Sequence, residues 1–381
     1  MTQVIDRVTE AVSSCGLDLE KTFPQGAGHL LLQMSRPDRS RLAGQWFADS
    51  SRARVVARET RKRTGDDVDV PVLDGGRLLL QPDGADRRIP VLHRVASAPG
   101  AALVAHRAEK RGSVRRVDRD GQAVYTKVVR PGRLSATMAG ARVRVAGVRV
   151  PKVAAVDPDG GTMDCHALPG RTLHDILADP TLTTAEVIAA GRAVGGAVAR
   201  LHACPPPSSL RRHEATEEMA VTRHWLRQAW VHGLLDDTGL VRQRLETARG
   251  LLADAGGESA FLHRDLHDKQ VVVDGDDAVG ILDLDLAATG EPALDLANLL
   301  VHLELRSLQG LCPAARARAC ADAVVDGYAP ELDTWRRVPA YALTTRLRLG
   351  AVYAFRPGSA GIGLALLTDA PGPPGHTRER R

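Results

Sequence analysis

The apolar residues of this 381-residue chain change their period once, near residue 170, and that change restricts the folds open to it. Between residues 100 and 166 they come in short runs, ALVAHR, SVRRV, AVYTKVV, RVRVAGVRV, KVAAV and TMDCHAL. Asp120-Gly121 and the Asp157-Pro158-Asp159-Gly160-Gly161 tract supply turns between them. Runs of this length bounded by turn residues predict a mostly antiparallel sheet. Beyond Gly170 the period is helical. Thr183 followed by Glu186 forms a capping box that opens a helix through VIAAGRAVGGAVARLHA, and the Pro205-Pro206-Pro207 run must end it. Further helices are predicted over 219–253, 293–308, 314–328 and 334–355, interrupted by two strand-like pieces, QVVVDG and AVGILDLDL. The chain therefore reads as α+β: a sheet, then helices, with one hairpin buried among them.

Residues 1–95 stand apart. Val4, Ile5, Val8, Ala11 and Val12 predict an amphipathic first helix. The runs HLLLQM, ARVVAR, VPVLDG, GRLLLQPDG and RIPVLHRVA then read as strands, with Gly75-Gly76 and Pro82-Asp83-Gly84 as hairpin turns. Ser97-Ala98-Pro99-Gly100 marks a boundary, so this first quarter is read as a small α+β cap without a recognisable chemical constellation. At the other end, residues 371–381 read as a disordered tail.

Charge and cysteine content exclude several function classes. Lys and Arg total 51 against 46 Asp and Glu, and the excess is spread along the chain. The densest basic stretch, Ser51 to Arg63, is interrupted by Glu59 and reads as a solvated helix face, so nucleic acid is not an expected partner. Five cysteines without a CxxC pair make neither a disulfide framework nor a zinc ribbon, and they fit a reducing, cytoplasmic setting. No apolar stretch approaches the ~20 residues that cross a bilayer, so no membrane is expected either. Only six lysines occur against 45 arginines, which draws attention to any lysine in a chemically suggestive place.

Chemistry concentrates between Phe261 and Leu300. His263-x-Asp265 is followed by Gln270, a hairpin returns Asp283 and Asp285, and Gly290-Glu291-Pro292 opens a helix leading to Asp295. Phosphoryl transfer requires a carboxylate to orient the acceptor hydroxyl, oxygen ligands for Mg²⁺ and a cation on the phosphates. A loop of this form supplies the carboxylate and one amide ligand, and the hairpin supplies a second carboxylate. His263, Asp265 and His267 with Asp283 or Asp285 could alternatively chelate a transition metal for a hydrolase.

The stretch His263-Arg264-Asp265-Leu266-His267-Asp268-Lys269-Gln270 resembles the catalytic loop of the aminoglycoside phosphotransferase and choline kinase family, small-molecule relatives of the protein kinases. Leu282-Asp283-Leu284-Asp285 is similar to its metal-binding segment, and Gly290 to Ala297 to the helix start that follows. Leu168 to Leu173 and Ala199 to Ala203 resemble further family segments, in the family's order over roughly residues 100–360. The resemblance implies a bilobal protein-kinase-like fold: an antiparallel-sheet N-lobe over 96–166 and a mainly helical C-lobe over 167–370. It also implies an ATP- and Mg²⁺-dependent kinase for a small-molecule hydroxyl, with Asp265 as base, Gln270 and Asp283 as Mg²⁺ ligands, Lys127 on the phosphates and Asp295 bracing the loop. His263 is expected to be a buried structural residue, and the adenine hinge is expected within Asp164, Cys165, His166, Ala167 and Leu168.

The chain departs from the family pattern at several points. Gln270 replaces the usual asparagine, as in some sugar-directed members such as maltokinase-like enzymes. Arg264 stands where glycine is common. Between Lys127 and Pro151 there is no acid to pair with the lysine, and the loop over His106 to Arg116 contains only Gly112, leaving the amides near Gly112 and Ser113 as the expected phosphate cradle. These gaps support an alternative reading as a weakly catalytic nucleotide-binding regulator. For the acceptor, an acidic cleft from Asp268, Glu304, Asp326, Glu331 and Asp333 would suit a polycationic aminoglycoside. Arg336, Arg337, Arg346, Arg348 and Arg356 argue instead for a neutral or anionic molecule, such as another sugar.

Overall fold

The computed structural model describes residues 4–236, 239–253, 259–275 and 278–369, so the expected tail over 371–381 lies outside the described residues. The first sheet comprises β1 (Asp18–Gly26), β2 (His29–Ser35), β3 (Arg41–Phe47), β4 (Val72–Leu73) and β5 (Leu78–Gln81), in the antiparallel order β1-β2-β3-β5-β4. Helix α1 (Val4–Ser13) buries Ile5, Val8 and Val12 against it, on the predicted spacing. Helix α2 (Ser50–Thr64) starts where the Asp49 carboxylate accepts the Ser51 N–H, and it carries the basic stretch. ARVVAR belongs to this helix rather than to a strand: Ala53, Val56 and Ala57 are buried at helical spacing while the arginines face out. RIPVLHRVA likewise contains α3 (Val91–Ala96), and the Pro82–Gly84 turn leads into it instead of closing a hairpin. Both runs were too short to display a period, and their strand reading is corrected here.

The second sheet is made of β6 (Ala102–Arg107), β7 (Arg111–Val117), β8 (Ala123–Val129), β9 (Val153–Asp157) and β10 (Thr162–His166), ordered β6-β7-β8-β10-β9 with every pair antiparallel. RVRVAGVRV does not join it. Its only pairing of that kind within the segment is a Val145–Val148 bridge, and the preceding residues form α4 (Leu134–Ala141). Gly140 lets α4 close on the segment after Asp283, because a Cβ there would stand 1.9 Å from the Leu284 carbonyl oxygen.

The helical body follows. The short strand β11 (Arg171–Thr172) precedes α5 (Leu173–Ala178), and α6 (Thr184–His202) opens on the predicted capping box. Then come α7 (Ala215–Val231), α8 (Gly239–Leu251) and the strands β12 (Ala260–Leu262), β13 (Val271–Asp274), β14 (Ala278–Ile281) and β15 (Ala288–Gly290). The hairpin β13–β14 is pinned to the linker from the second sheet, since Arg149 exchanges backbone bonds with Val279 and Ile281 at 2.9 and 2.8 Å. Helix α9 (Pro292–Leu308) is buried on nearly all sides, with α10 (Ala314–Tyr328), α11 (Leu332–Ala354) and α12 (Ala360–Thr368) around it. Among the described residues no helix is long and apolar enough to cross a membrane.

The cap is packed against both other parts. Leu30, Leu32, Trp46 and Leu78 share one apolar cluster with Leu226, Leu347, Ala351 and Phe355 of the helical body. The Thr22 hydroxyl and N–H both donate to the Phe355 carbonyl, at 2.6 and 3.3 Å. Leu92 of α3 meanwhile packs with Val114 and Val128 on the outer face of the second sheet. A Leu347→Ala substitution in the shared cluster is therefore expected to cost about 2–5 kcal/mol. In differential scanning calorimetry it should lower a single unfolding transition; two separate transitions, with only one displaced, would show that the cap folds as an independent unit.

Candidate active site

Strand alternation decides which side chains meet at the junction of the second sheet and the β13–β14 hairpin. On β8, Tyr125 and Lys127 face inward, as do Met163 and Cys165 on β10 and Ser113 on β7, where it pairs with Lys127. These residues, with His166, Ala167, Leu168, Gln270, Asp283 and Asp285, line a cleft of about 380 Å³. Ala141, Val150, Val272, Leu282 and Leu284 add apolar walls.

At the inner end, the Lys127 ammonium donates to Asp283 Oδ1 and Asp285 Oδ1, both at 2.6 Å. Burial alone would lower the lysine, but the attraction of Asp283 and Asp285 outweighs it and holds its pKa above the ordinary value. Asp283 is depressed: the cost of its burial is exceeded by Lys127 and, farther off, Arg111. Asp285 is pushed up to about 6, chiefly by burial and by the charge of Asp283, against the pull of Lys127. The anion missing from the sequence after Lys127 is thus supplied by the hairpin. Asp283 itself adopts φ +56°, a left-handed conformation uncommon outside glycine and of the kind that marks constrained sites.

The loop before Gln270 is held by buried groups. Asp295, fully buried, accepts the N–H groups of His263 and Arg264 at 2.6 and 2.7 Å and lies 3.3 Å from His202 Nε2. Burial opposes its ionisation, but His202 and the loop N–H of His263 hold it below the usual carboxylate range. The buried His263 ring donates from Nε2 to the Leu282 carbonyl at 2.7 Å and accepts the Asp265 N–H at Nδ1, 3.3 Å away. One imidazole therefore ties the loop to the hairpin that carries Asp283. Asn298 donates to the Leu266 carbonyl at 2.8 Å, and its own oxygen accepts from Arg348 at 2.7 Å. Arg264 takes φ +71°, which explains why glycine suits that position.

The structure separates several residues that the sequence had grouped. Lys127, Ser113, Cys165, His166, Gln270 and Asp283 share the cleft; Asp265 is half-buried on the same loop but outside the cleft lining. Gly112 does not reach it: the glycine lies within β7, pairs with Val128, and turns toward Leu92, where a Cβ would clash at 2.4 Å. The expected glycine loop is a tight turn, Ala108-Glu109-Lys110, with Glu109 at φ +59°. Asp164 also points away, onto Thr126 at 2.7 Å and onto Arg116. Within the expected hinge, the N–H groups of His166 and Ala167 already donate to Lys152 and Ala123, while His166, Ala167 and Leu168 all line the cleft.

The acidic residues proposed for a polycation site do not converge. Asp268 is fully buried, gripped by Arg306 through two 2.7 Å bonds and by His174 at 2.8 Å. Glu304 pairs with Arg346, and Asp326 lies 3.9 Å from Arg192. Glu331 and Asp333 line a different cavity with Tyr328 and Arg337. The transition-metal reading fares no better, since both ring nitrogens of His263 are already bonded. His267, Asp268 and His302 do bring ligand atoms within 4.8 Å of one another, but the Arg306 guanidinium bridges both oxygens of that aspartate. Arg306 and its bidentate grip on Asp268 are the supports that the sequence reading missed; nothing in the spacing of residues 268 and 306 announces them.

Comparison with known proteins gives the family and the fold. Residues 107–341 match the phosphotransferase enzyme family. The chain belongs to that family and has its protein-kinase-like α+β fold. It is a phosphotransferase of the small-molecule kinase class. Similar solved structures include a thermostable mutant of aminoglycoside phosphotransferase APH(4)-Ia in its apo form, at 16% identity, TM-score 0.51, covering 73% of this chain and 97% of that one. An amicoumacin kinase in complex with AMP-PNP, Ca²⁺ and Ami has 16% identity and TM-score 0.50 over 71% of this chain and 86% of that one. A macrolide 2'-phosphotransferase from Brachybacterium faecium reaches 20% identity and TM-score 0.48, over 73% of this chain and 95% of that one. No curated protein matches the sequence.

Removing one partner of the buried Asp268–Arg306 pair leaves an uncompensated charge. Asp268→Ala is expected to destabilise the chain by about 3–5 kcal/mol, and Asp268→Ala with Arg306→Met to recover most of that loss. Urea unfolding of the two variants measures it; equal losses in both would show that the pair has no such role.

Proposed function

We propose that this protein transfers the γ-phosphoryl group of ATP to a hydroxyl of a small molecule, with a neutral sugar or aminosugar as the favoured acceptor class. The observation that carries this reading is the meeting of Lys127, Asp283, Asp285 and Gln270 in one inter-lobe cleft. A hard divalent cation suits this donor set, which offers carboxylate and amide oxygens and no soft ligand. Gln270 and Asp283 would hold Mg²⁺, which supplies charge neutralisation on the phosphates when bound. The Gln270 amide is 3.5 Å from His267 Nε2, too long a contact to fix its orientation, so its oxygen is free to turn inward.

In this reading the apolar cleft walls and the Ala167–Leu168 segment receive adenine, while Lys127 moves from Asp283 onto the α- and β-phosphates. Asp285 keeps the lysine directed into the cleft, taking the part of the absent helix acid. That substitution weakens the reading as a catalytically decayed nucleotide binder, because the missing acid was its main support. Asp265 orients the acceptor hydroxyl and takes its proton, from a loop whose backbone Asp295, His263 and Asn298 hold in place. Preference for a neutral acceptor over a polycation rests on the scattered, paired acids described above and on the exposed Lys269 beside Gln270.

ADP release with Mg²⁺-ATP across maltose, glucosamine, aminoglycosides, choline and homoserine tests the proposal. Acceptor-dependent release with the sugars is expected. Asp265→Asn should reduce turnover by at least about a hundredfold while nucleotide affinity is retained. Asp283→Asn should abolish Mg²⁺-dependent nucleotide binding. Undiminished turnover in Asp265→Asn would remove that residue from the role of base, and unchanged Mg²⁺ titration in Asp283→Asn would remove the metal assignment.

A further inference from the structure

A second cavity, of about 800 Å³, opens where the cap meets the second sheet. Its lining consists of Glu59, Lys62, Arg63, Arg87, Arg88 and Arg130. Three elements contribute: Glu59, Lys62 and Arg63 come from one face of α2, Arg87 and Arg88 from the loop before α3, and Arg130 from the residue following β8. Five cations thus line the cavity with one carboxylate, and a second, that of Glu109, lies behind Arg87 and Arg88.

Two of the five are committed. Arg87 donates to Glu59 and Glu109, at 2.5 and 2.6 Å, and Arg130 donates through Nε to the Glu109 carbonyl at 2.8 Å. These bonds hold the turn between β6 and β7 to the cap, together with the 2.6 Å bond from the Glu109 N–H to the buried Asp86. The other three are engaged only weakly. Arg88 lies 3.9 Å from Glu109 and its side chain is half exposed, while Lys62 and Arg63 make no side-chain hydrogen bond or ion pair among the described residues. The last turn of α2 draws some benefit from Lys62 and Arg63 through the helix dipole. That does not account for Arg87, Arg88 and Arg130 converging on the same space. Like charges brought together from separate elements repel one another in the folded chain, and an anionic occupant relieves that repulsion.

We propose that this cavity is a binding site for an oligophosphate, that is, a ligand bearing two or more linked phosphoryl groups, separate from the nucleotide cleft. Arginine forks and a lysine head match phosphate oxygens, and a single phosphate would leave most of the volume and several of the cations unused. Because Arg87 and Arg130 also hold Glu109, an occupant of this site bears on the turn that joins β6 to β7.

The probe is inorganic tripolyphosphate, titrated calorimetrically into the full chain carrying Lys127→Ala, without divalent metal, so that the nucleotide cleft is not the site measured. Saturable binding of one tripolyphosphate per chain is expected, weakened at least about tenfold by adding Arg63→Ala and Arg88→Ala, each of which removes a charge-assisted contact. Arg63→Lys and Arg88→Lys should retain most of the affinity, and circular dichroism checks that each variant is folded. Absence of saturable binding overturns the proposal, as does binding indifferent to the Arg63→Ala and Arg88→Ala pair. Tighter binding of a single-stranded oligonucleotide than of tripolyphosphate at this site would also overturn it, in favour of a nucleic-acid surface. None of these outcomes depends on the chain being an active kinase.

Discussion

One ammonium group joins parts of the chain that are distant in sequence. Lys127 belongs to the second sheet, and its partners Asp283 and Asp285 belong to the segment directly after the β13–β14 hairpin of the helical body. The three groups are largely withdrawn from water, so each is costly alone and tolerable only with the others. The attraction of one ammonium for two carboxylates ties the segment after the hairpin to the second sheet, and His263 ties that segment to the loop through the Leu282 carbonyl. Gly140 completes the arrangement by letting α4 lie directly on the Leu284 backbone. Cleft, hairpin and loop are consequently set by one charge cluster and the backbone contacts around it.

The cap adds a second constraint on the same geometry. It shares its core with the helical body while its last helix covers the outer face of the second sheet, so it bridges the two lobes. The chain lacks a glycine-rich loop, but Glu109 in a left-handed turn is anchored to Asp86 and Arg87 of the cap. A loop that cannot rely on glycine flexibility is here made specific by buried hydrogen bonds from outside the lobe. The first quarter of the chain, which supplies no residue to the nucleotide cleft, thereby fixes the turn between β6 and β7.

How much of this was legible in the sequence depended on the range over which each signal acts. The capping box at Thr183 and Glu186, the period of α1 and the strands β6, β7, β8 and β10 are local patterns, and they were read correctly. ARVVAR and RIPVLHRVA were misread because a run of that size is compatible with a strand or with one turn of helix, and tertiary burial decides between them. The grouping of Lys127, Gln270 and Asp283 in one cleft followed from motif order. The directions of Gly112 and Asp164 did not, because a shift of one residue along a strand reverses the face. Asp268 looked like a surface acid in sequence and is instead buried by Arg306, thirty-eight positions away. Such a pair leaves no periodic or spacing trace.

The exchange of one acid for another has a mechanical consequence. When a lysine is paired with an acid on a neighbouring helix, the pair responds to movement of that helix. Here α4 carries no acid, and the pairing carboxylate, Asp285, lies two residues from Asp283 on the same short segment. Displacing that segment therefore moves both partners of Lys127 together, while displacing α4 acts only through its packing on Leu284. The cap, packed on both the second sheet and the helical body, adds a further set of contacts to those that Lys127, Arg149 and α4 make between the two.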